Sequence, residues 1–153
     1  MVAEIRHEAI VPHPQTRFVT AEAVAQILNV DPEHLTEIRC WANVMLVIGH
    51  NISKFVSYAD LPPILGVEPP VAKDILRWRK RWHKTKTHKA PAFWVQFYAQ
   101  KFQQATSLTE LENWGQLVRS IQFGLEMVSR QWLQNLYCDR ISLLQPSTVS
   151  AEC

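Results

Sequence analysis

The apolar positions of the chain change period several times, and each change marks an element. Over 20–28, Val24, Ile27 and Leu28 recur at helical spacing behind Thr20, which can cap the first turn, and Glu22 is favourably placed against the helix dipole. This predicts a helix. Asn29 and Val30 make a tight connection. Asp31 is a second cap candidate, and Pro32 stands at a first helical position, where its missing N–H costs nothing. Leu35, Ile38 and Trp41 then share one face, which predicts a second short helix with Glu33, His34, Thr36, Glu37 and Arg39 turned outward. The runs 44–48 and 52–56 are apolar and β-branched, and Gly49-His50-Asn51 between them is turn material, so a β-hairpin follows. Ser57 with Asp60 forms a variant capping box ahead of Pro62-Pro63.

Beyond Pro69-Pro70, Val71, Ile75, Trp78 and Trp82 stripe a helix whose remaining surface is cationic; over 84–89 the periodicity lapses into an exposed basic loop. Pro91 restarts a helix bearing Phe93, Trp94, Phe97, Tyr98 and Phe102. Ser107 and Glu110 form a second capping box and open the longest helix, where Leu111, Trp114, Val118, Ile121, Leu125, Val128 and Trp132 recur in alternating steps of three and four. Such a heptad seam suits either a second copy of the chain or the preceding aromatic helix. Residues 1–16, with Pro12 and Pro14, predict a flexible N-terminal arm, and 146–153 a disordered tail.

Two short helices joined by so brief a turn, followed by a hairpin, are the signature of a winged helix-turn-helix. The predicted fold is therefore mainly α. It has a winged helix-turn-helix with a short β-hairpin wing over 17–66, a basic helix and loop over 67–90, and a C-terminal helical dimerisation region over 91–145.

Composition agrees with this and narrows the chemistry. At 153 residues, with six Trp and six Phe but only four Gly, the chain can bury a core and favours helices over a Gly-rich sandwich. No stretch approaches the ~18 apolar residues of a membrane span, and the first residues lack a signal-peptide core, so a cytoplasmic protein is expected. Cys40, Cys138 and Cys153 are widely spaced, show no CxxC pair and have no His at zinc-ligand spacing; they read as reduced thiols, with no metal and no cofactor. No nucleophile elbow, phosphate-cradling glycine loop or zinc-protease helix is present, so an enzyme is not expected.

The net charge is only +2, yet eight of the 16 Lys and Arg residues lie in 71–90: Lys73, Arg77, Arg79, Lys80, Arg81, Lys84, Lys86 and Lys89, with Asp74 the only acid. A cationic stretch of this kind neutralises phosphates and supplies the sequence-independent part of nucleic-acid affinity. Trp78 and Trp82, four apart, fit a core stripe better than a base-stacking platform. The candidate DNA contacts are then Thr20, His34, Thr36 and Arg39 from the two-helix region and His50, Asn51 and Lys54 from the hairpin. Arg77, Arg79, Lys80, Arg81, Lys84 and Lys86 add the backbone grip.

Taken in order, Val19-Thr20-Ala21-Glu22-Ala23-Val24-Ala25-Gln26-Ile27-Leu28-Asn29-Val30, then 35–41, then Lys54-Phe55-Val56-Ser57-Tyr58-Ala59-Asp60-Leu61, resemble the opening helices, wing strand and following capped helix of MerR-type and excisionase-type winged helices. The likeness covers about 17–66. A long C-terminal helix pairing two subunits is similar in architecture only. The small size and aromatic-rich C-terminal half also resemble the MerR-type repressors that accompany type V-K CRISPR-associated transposons in cyanobacteria. The resemblance implies a homodimeric repressor that binds double-stranded DNA at an inverted repeat. Glu33 and Glu37 depart from it, because acids on the second helix repel phosphate. Two other readings stay open: an excisionase-like architectural factor that bends DNA, and an adaptor that keeps the fold but binds protein.

Overall fold

The computed structural model describes residues 3–145. It is mainly helical, with a small four-stranded sheet. By packing, the chain divides into two units, Met1–Pro63 with Val71–Arg81 and Ile64–Pro70 with Trp82–Cys153. The expected tail at 146–153 lies outside the described residues.

In the first unit the sheet runs in the order β1 (Glu4–His7), β2 (Leu35–Cys40), β3 (Met45–Gly49) and β4 (Ile52–Val56). β1 is parallel to β2, and the remaining neighbours are antiparallel. The segment expected to be a loose arm thus supplies an edge strand, followed by a turn of 3-10 helix at Pro14–Phe18. Ile5, Ile38 and Val47 lie side by side in the register. Ile38, Cys40, Met45, Val47 and Val56 are buried, as are Ala23, Val24 and Ala25 of helix α1 (Ala21–Leu28). The caps of α1 are those the sequence offers: Thr20 Oγ1 accepts from the Ala23 N–H at 3.1 Å, and Asn29 ends the helix in the left-handed region, where Asn is tolerated.

The second predicted helix is absent. Pro32–His34 form one 3-10 turn, capped as expected by Asp31, and 35–40 are strand β2. The helix-like spacing comes from a register shift between Leu35 and Glu37. An extra residue at a bulge puts Leu35 and Ile38, three apart, on the same buried side, which imitates helical spacing. A close approach accompanies it: a Cβ on Gly49 would lie 2.3 Å from the His34 carbonyl oxygen, so only glycine fits opposite the bulge. The hairpin stands where predicted, with Asn51 (φ 58°) taking the left-handed position of its loop. The predicted helix after Ser57 is a single 3-10 turn, Tyr58–Asp60. With the second helix replaced by a strand, the two helices of a helix-turn-helix are not present.

Helix α2 (Ala72–Lys84) follows the predicted basic helix, and the boundary between the units falls within it. The second unit packs α3 (Phe93–Gln104), α4 (Leu108–Ile121) and α5 (Met127–Leu144) around Trp94, Phe97, Tyr98, Phe102 and Leu111, all buried. Ser107 caps α4 as expected, its Oγ accepting from the Glu110 N–H at 3.1 Å. The heptad seam, however, is not one helix. The chain leaves the α-helix after Ile121 through a 3-10 turn at Gln122–Gly124 and restarts at Met127. Gly124 permits this break: a Cβ there would lie 2.4 Å from the Trp82 ring. Leu111, Trp114, Val118, Ile121 and Leu125 are buried within the chain, while Val128 (79% exposed) and Trp132 (40%) point outward. The inward residues of α5 are instead Leu133 and Ile141, and Arg140 donates to the Ala105 carbonyl at the end of α3 at 2.7 Å. The seven seam residues therefore do not form a continuous dimerisation surface. Cys40 is free and buried, as a reduced thiol should be.

Among the described residues no helix is long and apolar enough to cross a membrane, and no group of three His, Cys, Asp or Glu is placed to hold a metal ion.

Candidate nucleic-acid interface

The geometry of α2 follows from its spacing. At about 100° per residue, Lys73, Lys80 and Lys84 fall within about 40° of one another, opposite Trp78 and Trp82. The tryptophans are buried and the three lysines exposed. The only acid of the helix, Asp74, is fully buried: its Oδ2 accepts from the Val71 N–H at 2.9 Å and from Arg17, and Arg77 lies 3.6 Å from its Oδ1. The exposed side of the helix thus carries positive charge with no acid on it.

The other predicted contacts are divided by their partners. Arg77 is drawn to Asp74, and Arg81 makes a bidentate pair with Asp60 at 3.0 and 3.0 Å, which holds its charge high but turns its donors toward the protein. Arg79, Lys84 and Lys86 are exposed. Thr20 uses its oxygen as a helix cap, and Thr36 donates to the Ile48 carbonyl at 3.0 Å, so neither is an open reading group. Arg39 is bonded to Glu37 at 3.0 Å, and Arg6 reaches the same carboxylate at 3.0 Å. These guanidiniums hold the Glu37 carboxyl below the usual range, the Arg39 hydrogen bond acting most strongly. The structure brings His34 beside His50 (ring centroids 6.3 Å apart), because the His50 N–H donates to the His34 carbonyl at 2.8 Å. Asn51 and Lys54 lie on the same exposed hairpin.

Sequence reasoning found no function in the first sixteen residues, and here it missed a feature. A cleft of about 530 Å³ is lined by Ile5, Ala9 and Val19 among other apolar groups and by His7, His13 and Arg17. The only signal was His13-Pro14, a cap followed by proline. His13 Nδ1 accepts from the Gln15 N–H at 3.0 Å, and its ring stacks on Tyr58 (centroids 4.6 Å, planes 15° apart). Burial, aided by the charge of Arg77, lowers the His13 pKa below its ordinary 6.5, while Asp74 opposes the shift. Well above pH 6.5 the ring is neutral both folded and unfolded. As pH falls below 6.5 the unfolded chain takes up a proton that the folded chain resists, so stability is lost with acidification until the lowered pKa is passed. Urea midpoints at pH 7.5 and 5.5 are expected to differ less in His13→Asn than in the wild type; an unchanged difference would remove His13 as the cause.

No protein-family model, curated protein or solved structure matches the chain.

Proposed function

We propose that the chain is a DNA-binding regulator whose affinity comes from the lysine stripe of α2. The observation that supports this is the arrangement of Lys73, Lys80 and Lys84 on one exposed side of a helix whose single acid is buried and engaged. A cationic helix of this kind follows a phosphate backbone and releases counterions from it. Phosphate contacts position a protein but do not specify sequence, so base reading needs another element. In this fold that element is the β3–β4 hairpin, with His50, Asn51 and Lys54 beside His34, since two-stranded ribbons enter grooves as helices do. The reading keeps the regulatory role implied by the MerR-type resemblance while replacing its recognition helix. A protein-binding adaptor is the second reading, favoured by exposed Met127, Val128 and Leu143 on α5 and Phe55 on β4.

The test is fluorescence anisotropy with a duplex from the region upstream of the chain's own coding sequence, and with a scrambled duplex, titrated against salt. Combined K73A, K80A and K84A is expected to lower the slope of log K against log salt by about 2 to 3, at about 0.9 per phosphate contact. An unchanged slope would remove α2 from the interface, equal affinity for both duplexes would remove sequence-specific regulation, and no binding at low salt would leave the adaptor.

A further inference from the structure

The cleft in the first unit is independent of the lysine stripe and has the features of a ligand site. Its volume of about 530 Å³ falls in the range of about 300–1,000 Å³ typical of sites for small molecules. Its walls are largely apolar, and its lining includes three nitrogen bases, His7, His13 and Arg17, but no acidic side chain. Ile10 and Val11, between the lining residues Ala9 and Pro12 in the chain, are exposed and do not line the cleft.

We propose that this cleft binds a small, largely apolar carboxylate. The polar end of the ligand is specified by His13. Because Nδ1 is occupied as an acceptor of the Gln15 N–H, the proton of the neutral ring resides on Nε2, so His13 brings a donor to the cleft. Stacking on Tyr58 fixes the plane of that ring before any ligand arrives, which reduces the ordering cost of binding. Arg17 is likewise held in place, by Asp74 and by the Pro14 carbonyl, with its guanidinium carbon 4.1 Å from the centroid of the Phe18 ring. A carboxylate suits this wall because it accepts from the imidazole N–H of His13 and meets no acid among the lining residues, while Arg17, already paired with Asp74, shapes the wall; the ligand's apolar body covers Ile5, Ala9 and Val19.

The probe is 1-naphthoate, titrated into the full ¹⁵N-labelled chain and followed by amide chemical shifts, with the neutral isostere 1-naphthalenemethanol in parallel. Shifts are expected to cluster within 5–19, and the neutral compound is expected to bind at least tenfold more weakly. His13→Ala is expected to weaken naphthoate about tenfold or more by removing a charge-assisted hydrogen bond. Ala9→Trp fills the cleft and is expected to abolish binding; the dispersion of each variant's own spectrum verifies that it is folded, and His13→Ala carries the test if Ala9→Trp is not. Absence of shifts within 5–19 at millimolar naphthoate, equal affinity for the neutral compound, or wild-type affinity in a folded His13→Ala would each overturn the proposal.

Discussion

Replacing Asp74 with alanine is expected to destabilise the first unit by about 3 kcal/mol or more, the usual cost of removing one partner from a buried ion pair. The carboxylate is fully buried and serves three groups at once: the Val71 N–H at the start of α2, the Arg17 guanidinium, and Arg77 at 3.6 Å. Its loss leaves Arg17, only 19% exposed, with a charge whose carboxylate is gone, and removes a hydrogen bond that holds the first turn of the helix. Asp74→Asn retains an acceptor for Val71 but not the charge, so it should fall between wild type and alanine. Asp60→Ala is the control. It breaks the pair with Arg81, but both groups reach solvent, Arg81 being 33% exposed, and the cost should stay near 1 kcal/mol or less. Urea denaturation followed by circular dichroism measures all three. Equal losses for Asp74→Ala and Asp60→Ala would show that burial of Asp74 does not govern its contribution.

The same residue shows why the candidate site was only partly legible. Charge density over 71–90 is visible in the sequence, and so is the stripe of tryptophans that turns Lys73, Lys80 and Lys84 outward, because both depend on local periodicity. The partners are less visible. Arg81 counts as a phosphate ligand until a fold brings Asp60, 21 residues away, within 3.0 Å. The Arg17–Asp74 pair spans 57 residues. For the fold, local signals again succeeded where the structure is local: the Thr20 and Ser107 caps, the end of α1 at Asn29, and the hairpin over 45–56. Strand β1 has only Ile5 as an inward apolar residue, and its pairing with 37–40 is non-local, so no period could announce it. The bulge at Leu35 gave a strand the spacing of a helix. A run of apolar residues at steps of three and four likewise passed through the break at Gly124, because Leu125 is buried on the far side of it and keeps the rhythm. The winged-helix resemblance depends on the order of short elements, and a strand whose bulge gives it helical spacing keeps that order.

Trp94→Ala is expected to cost the second unit about 3–5 kcal/mol, the range for truncating a large aromatic in a closed core. Trp94 is fully buried on α3 and meets the edge of Trp82 with centroids 5.4 Å apart and planes at 79°, an arrangement that adds to simple burial. Trp82 in turn lies 5.9 Å from Phe123 and leaves no room for a side chain at position 124, where a Cβ would sit 2.4 Å from its ring. A methyl group introduced by Gly124→Ala must therefore displace Trp82, and the displacement is resisted while Trp94 holds its place; about 1–3 kcal/mol is expected for that change alone. In the double variant Trp82 can shift into the space Trp94 vacates, so the combined loss should fall short of the sum of the two single losses by at least about 0.5 kcal/mol. Urea denaturation of the four proteins, with near-ultraviolet circular dichroism reporting the indole environment, measures the coupling. Additive losses would mean that Trp82 does not transmit packing between α3 and the turn at Gly124.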